Sequence, residues 1–110
     1  MIKTIDKSAR DVKLNELAGE IGGFYIKIVL DVEREVLAAG AKMHVDEEKV
    51  LMEQGCKREN LWGGGYDLEA KKMTFDSIIN NKPGINSSSD ILDPNIRTKF
   101  EAIVKRLLRI

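Results

Sequence analysis

The residues able to do chemistry are few, and their spacing limits what they can do. His44 is the single histidine and Cys56 the single cysteine of the 110-residue chain. One His and one Cys give none of the paired spacings by which zinc is held. The acids beside His44, in Asp46-Glu47-Glu48, read as the solvated first turn of a helix, where carboxylates complement the helix dipole. No metal site and no cofactor are expected. Placed on a strand, His44 could be polarised by Asp46 on the same face and serve as a general base, although a hydrogen-bonded histidine is the plainer reading. Cys56 stands next to Lys57 and Arg58, whose charges favour thiolate, but no protease-like signature accompanies it. Asp31, Glu33 and Glu35 are spaced by two and would share a strand face; a chain reversal at Arg34 turns the last two into solvated turn residues.

Two further segments invite a binding role. Gly63-Gly64-Gly65 would let backbone amides approach an anion, yet neither phosphate-loop pattern is present, and glycines within a strand more commonly mark a bulge or close packing. Trp62 and Tyr66 flank them as a stacking platform or as core. Lys82-Pro83-Gly84-Ile85-Asn86-Ser87-Ser88-Ser89-Asp90 is rich in donors just before a helix, where the dipole favours an anion, while Asp90 and Asp93 oppose one. Its plainer reading is a loop held by Asn and Ser bonds to its own backbone. A ligand pocket, if the fold builds one, is expected among His44, Trp62, Asn86 and Ser87, with no catalytic set assigned.

The elements that must position these residues follow from periodicity. Leu14, Leu17, Ala18 and Ile21 recur at helical spacing and predict a first helix over 12–21, stopped by Gly22-Gly23. From Tyr25 onward Ile26, Ile28, Leu30 and Val32 alternate as a strand. A reversal at Arg34-Glu35 sets Leu30 against Ala39 and Ile28 against Ala41, so that both apolar faces coincide. That turn lacks the Gly, Asn or Asp that tight hairpins prefer. The rival is a helix over 25–39 with Tyr25, Ile28, Val29, Val32, Val36 and Ala39 as its stripe; the β-branched density favours the hairpin. A short helix over 46–55, capped by Asp46 and stopped by Gly55, comes next, then a second hairpin of Leu61–Leu68 with Lys72–Asn80. The last helix starts at Asp93-Pro94 and carries the stripe Ile96, Phe100, Ile103, Val104 and Leu107. The order α-β-β-α-β-β-α predicts a single α+β domain over 1–110: a four-stranded antiparallel sheet from two hairpins, with helices mainly on one face.

Composition narrows the function classes. Hydrophobic residues at 43% and charged residues at 33% suit a folded globule, and 18 basic against 18 acidic residues leave no net field to draw in a polyanion. Nucleic acid is therefore a disfavoured partner, resting only on Arg97, Lys99, Lys105, Arg106 and Arg109 of the last helix. No apolar run is long enough to span a bilayer, the opening Met1-Ile2-Lys3-Thr4-Ile5 lacks a signal-peptide core, and a lone cysteine fits a reducing compartment. A cytoplasmic protein without a membrane partner is expected.

Glu53-Gln54-Gly55-Cys56-Lys57-Arg58-Glu59-Asn60-Leu61-Trp62-Gly63, then Phe75-Asp76-Ser77-Ile78-Ile79-Asn80, Asn86-Ser87-Ser88 and Asp93-Pro94-Asn95-Ile96-Arg97, resemble a small prokaryotic family of unknown function over nearly the whole chain. Its members tend to carry serine where this chain has Cys56, and Asn-Arg-Ser where it has Asn86-Ser87-Ser88, so this chain lacks that arginine. The resemblance implies a bacterial or archaeal cytosolic protein and supplies no activity. The expectation is a non-catalytic interaction or regulatory module that associates with itself or a protein partner; the alternative is a small enzyme or ligand-binding protein using the pocket above. Replacing the cap Asp93 by Ala should lower stability by about 1 kcal/mol in chemical denaturation.

Overall fold

The computed structural model describes residues 2–18 and 23–110. Within them the protein is α+β, with three α-helices and one five-stranded antiparallel sheet. The chain runs β1 (Lys3–Ile5), α1 (Leu14–Leu17), β2 (Tyr25–Asp31), β3 (Val36–Ala39), α2 (His44–Glu53), β4 (Leu61–Asp67), β5 (Lys72–Thr74) and α3 (Pro94–Leu108). Single 3-10 turns occupy Arg58–Asn60 and Ile78–Asn80. The sheet order is β1-β3-β2-β4-β5. The fifth strand is β1, three residues too short to show a period, which exist as a strand because β3 offers Ala39, Ala38 and Leu37 to pair with Lys3, Thr4 and Ile5.

The segment 25–39 is a hairpin and not a helix, and its register corrects the expected one. Leu30 faces Leu37 and Ile28 faces Ala39, two positions from the predicted pairing. A shift of two leaves every side chain on its predicted face. The cause is the turn. The Asp31 carboxylate accepts the N–H groups of Glu33 and Arg34, each at 2.9 Å, and Glu35 takes the left-handed conformation at φ 54°. The second hairpin repeats the device: Asp67 accepts from Glu69 and Ala70, each at 2.9 Å, and Lys71 has φ 56°. Asp-Val-Glu-Arg-Glu and Asp-Leu-Glu-Ala-Lys are thus the same loop, in which an aspartate side chain holds the turn and glycine is not needed.

Helices cover both faces of the sheet, not mainly one. On one side Ile26, Ile28, Leu30, Leu37, Trp62 and Tyr66 meet Phe100, Ile103, Val104 and Leu107 of α3 and Leu17 of α1. On the other, Val29, Ala38 and Leu61 meet Leu51 of α2 together with Cys56 and Ile79. α1 spans Leu14–Leu17, starting later than the predicted 12; the end of the predicted helix, 19–21, and its stop at Gly22 lie outside the described residues. α2 starts earlier than expected, so Asp46 sits in its first turn and does not cap it, while Gly55 ends it at φ 95° as predicted. There Cys56 N–H reaches Leu51 O and Gly55 N–H reaches Met52 O, each at 3.0 Å, which closes the helix by a Schellman motif. α3 begins as expected, Asp93 accepting the Asn95 N–H at 2.8 Å ahead of Pro94.

The second hairpin is shorter than predicted: β5 ends at Thr74, and 76–80 leave the ladder. What takes their place is a side chain. Asn80, fully buried, accepts the Gly63 N–H at 2.8 Å and returns a bond to the Gly63 carbonyl at 2.9 Å, so its amide pairs β4 as a strand residue would. The same amide nitrogen lies within 3.3 Å of Phe75 O and 3.0 Å of Ser89 O. The glycines of β4 admit this crowding. A Cβ on Gly63 would strike the Ser77 side chain, one on Gly64 would come 2.9 Å from Phe100 Cζ, and one on Gly65 would strike the Tyr25 phenol. Close packing from both sides, rather than an anion, accounts for the triplet. Asn80→Ala strands the Gly63 amide and carbonyl in a dry site and should cost on the order of 3 kcal/mol in denaturant unfolding; a loss below about 1 kcal/mol, no more than an ordinary hydrogen bond, would show that the amide is not a strand surrogate.

Candidate functional site

The four residues singled out from sequence fall into two neighbourhoods. Trp62 is core, only 2% exposed, with the Lys82 ammonium 5.1 Å above its ring. Lys82 donates to Arg58 O at 2.9 Å and bridges Asn86 through the backbone, so Trp62 and the Asn86 loop are tied together. Asn86 is buried, its amide nitrogen lying 3.0 Å from Asn80 O, 2.9 Å from Ser88 O and 2.8 Å from Asp90 O, while its oxygen accepts the Leu92 N–H at 3.1 Å. Its capacity is used on its own loop. Ser87 beside it is exposed. His44 turns elsewhere. It is the first residue of α2, not a strand residue, and its Nε2 bonds the Gly64 carbonyl at 2.7 Å. Among the described residues no hydrogen bond joins it to Trp62, Asn86 or Ser87.

The neighbours of His44 are groups that sequence reasoning missed. Leu51 anchors α2 on the sheet, and one turn back on that inner side lies Glu47, fully buried, where a solvated first turn was expected. Its Oε2 accepts the Ala41 N–H at 3.0 Å, and its Oε1 has no partner. Burial pushes the Glu47 carboxyl up to about 9, only partly opposed by the Ala41 bond and the Lys27 charge. It is therefore a neutral acid at pH 7. Burial likewise pulls His44 below its usual value, against the raising effect of its bond to Gly64, and leaves it neutral. Because a carbonyl can only accept, Nε2 carries the proton and Nδ1 holds the lone pair. Tyr25 lies over Gly65, its hydroxyl 2.6 Å from Thr74 Oγ1, and burial raises it. The spacing of Glu47 from Leu51, an i, i+4 pair, was the available signal, since it puts the acid on whichever face carries the leucine.

The remaining candidates are structural. Asp31 is fully buried in its turn rather than on a solvated edge. Cys56 is buried beside it, and burial and the Asp31 carboxylate push the thiol up to about 11, the opposite of the expected activation by Lys57 and Arg58. Arg34 closes over it, donating to Gln54 O at 3.1 Å with Sγ 3.8 Å away. On α3 the basic residues do not form a free patch. Lys105 pairs with Glu101 at 2.9 Å, Arg106 pairs with Glu35, Arg109 bonds the carbonyls of Arg10 and Ala9, and Arg97 lies over the Phe75 ring at 4.3 Å. Among the described residues no group of three or more His, Cys, Asp or Glu is placed to hold a metal ion.

One surface is open. The outer side of α2 presents Val45, Lys49 and Met52, which with Glu53, Arg58 and the largely buried Glu48, itself paired with Arg58 at 3.9 Å, line a shallow groove of about 480 Å³. Val45 and Met52 are more than a third exposed, and Ile78 on the neighbouring 3-10 turn is 75% exposed.

A five-stranded α+β domain with a buried Asn80–Asn86 amide network and an acid-bearing α2 is the class this geometry defines. The chain belongs to the family of proteins of unknown function DUF5674, whose profile matches residues 3–107. No curated protein and no solved structure matches it. Among the described residues no helix is long and apolar enough to cross a membrane.

The raised Glu47 makes a signed prediction. Between its ordinary value of 4.5 and about 9 the folded state binds more proton than the unfolded state, so this group lowers stability as pH rises through that window. Glu47→Gln keeps an acceptor for Ala41 and removes the titration. Its Tm should match the parent at pH 4 and exceed it at pH 8; parallel Tm profiles would show that Glu47 is ionised in the folded protein.

Proposed function

We propose that the protein is a small cytosolic, non-catalytic interaction module that pairs with a second copy of itself through the outer side of α2. One observation carries this reading. Along that face the residues run apolar, acid, base, apolar: Val45, Glu48, Lys49, Met52. The pattern is self-complementary when two such helices lie antiparallel about a twofold axis between positions 48 and 49. Val45 then meets the partner's Met52, and Lys49 meets the partner's Glu48, whose carboxylate also pairs with Arg58 of its own chain at 3.9 Å, each contact occurring twice as an isologous interface requires. Net charge of zero removes any long-range repulsion between copies.

The sheet supports no competing route. Helices cover both of its faces, and its edges, β1 and β5, are three residues each, too short to template a continuous intermolecular ladder. The reason to expect association is therefore the helix and not an open sheet. A single pair of ten-residue helices buries less than a standard interface, so the dimer is weak. Regulation by concentration or by a partner helix of similar pattern suits such an affinity.

Sedimentation velocity from micromolar to millimolar protein should show reversible monomer–dimer exchange. Lys49→Glu sets like charges opposite each other and should leave only monomer, whereas Lys49→Arg keeps the charge and should dimerise as the parent does. A parent that stays strictly monomeric over the whole range, or a Lys49→Glu variant that dimerises as well as the parent, would end this reading.

A further inference from the structure

Lys82 is a cation placed where a cation is costly. It is 6% exposed, and among the described residues its ammonium makes one hydrogen bond, to the Arg58 carbonyl at 2.9 Å, and lies over the Trp62 ring at 5.1 Å. Burial pulls the ammonium below the usual lysine value, against the raising effect of the Glu48 charge. An apolar side chain of similar length would fill the same place without the cost of stripping a charge of water, and such replacements are often neutral or stabilising. Packing therefore does not explain this lysine; what its donor holds does.

Both ends of that hydrogen bond are built in. On the loop side, Lys82 and Asn86 exchange backbone bonds at 2.8 Å each, and the Asn86 amide is tied to Asn80 O at 3.0 Å, so the lysine stands on the buried amide network. On the other side, Arg58 opens the 3-10 turn Arg58–Asn60, and its guanidinium reaches Glu48 of α2 at 3.9 Å. Arg58 and Glu48 both line the groove on the outer side of α2. The Arg58 side chain is 68% exposed, so no packing holds it in place. Its carbonyl and its guanidinium belong to one residue, and a bond that fixes the first limits where the second can reach.

We propose that Lys82 is the positioning residue of the α2 pairing face: through Arg58 it couples the Asn80–Asn86 loop to the groove, so that two copies pair only with the loop closed on Arg58. This rests on the self-pairing read above. Glu48 is the acid that meets the partner's Lys49, and Arg58 sets where that carboxylate stands. Lys82 sets where Arg58 stands, and the loop thereby controls the pairing from the far side of the 3-10 turn.

The test is a double-mutant cycle read by sedimentation velocity, with amide hydrogen exchange of the dilute, monomeric chain beside it. Lys82→Met should leave Tm at or above the parent value and weaken the dimer by about a factor of five, a fraction of what one hydrogen bond to a charged group is worth. Arg58→Gln should weaken the dimer as well. In that background Lys82→Met should have no further effect, the non-additivity expected of residues that act through one contact. In the monomer, exchange should quicken at Asn60, whose N–H bonds Lys57 O at 2.9 Å across the turn, and stay unchanged at Gly63, which Asn80 holds. Lys82→Gln takes the place of the methionine variant if that fails to fold. A Lys82→Met dimer as tight as the parent's, additive losses in the cycle, or unchanged exchange at Asn60 overturns the proposal. So does exchange that quickens at Asn60 and Gly63 alike, which marks a loosened core. A parent that stays monomeric ends the pairing reading, and with it the control of pairing, while the Asn60 exchange still decides whether the loop holds the turn.

Discussion

The amide of Asn80 against the backbone of Gly63 is the interaction on which the rest of the structure depends. β4 lies next to the edge of the sheet, and its partner β5 stops after three residues, which leaves the Gly63 N–H and C=O facing a gap. In a dry interior those groups cannot be left bare. Asn80 fills the gap with one acceptor and one donor at strand spacing. Asn86 then holds Asn80 through its carbonyl and gathers Ser88, Asp90 and Leu92 around a second buried amide. A polar segment of more than ten residues is thereby kept ordered with no helix or strand of its own, and Ile91 is delivered to the core at the start of α3.

The glycines of β4 are the other half of the same arrangement. Side chains arrive at that strand from both faces, Phe100 from α3 and Tyr25, Ser77 and Ile79 from the opposite side, closer than a Cβ would permit. Glycine weakens an isolated strand, and here the cost is offset by full-length pairing with β2 and by the aromatic packing that the missing side chains allow. The close approach also explains why His44 reaches the Gly64 carbonyl from the first turn of α2, and hence why α2 sits low enough on the sheet to bury Glu47. The polar inner side of α2 is a consequence of how near the helix lies.

Much of the architecture was legible because alternation and helical stripes survive in the local sequence. Ile26, Ile28 and Leu30 named their face correctly, and Phe100, Ile103, Val104 and Leu107 named theirs. The hairpin turn was harder, because the expected signal was a glycine and the actual device was Asp31, a side chain hydrogen-bonding two and three residues ahead. The candidate site was less legible. His44 was noticed for its residue type, and its strand placement was wrong because Met43-His44-Val45 alone does not reveal the phase of α2, which Leu51 sets by docking on Val29 and Ala38. Lys27 and Asn80 carry no local mark that separates them from solvated residues of the same kind, and Glu47 carries only its i, i+4 spacing from Leu51.

Sequence by itself determined the α+β class, the faces of the β2 strand, the stop of α2 at Gly55 and the start and stripe of α3, while it left a helix over 25–39 open and misjudged the first hairpin's register and the second hairpin's length. Tertiary structure decided the fifth strand, the covering of both sheet faces, the neutral state of Glu47 and the burial of Asn80. These depend on contacts between segments distant along the chain, such as Gly63 with Asn80 or Lys3 with Ala39. Dehydration by such contacts, and not residue type, is what turns an ordinary glutamate or asparagine into a structural group.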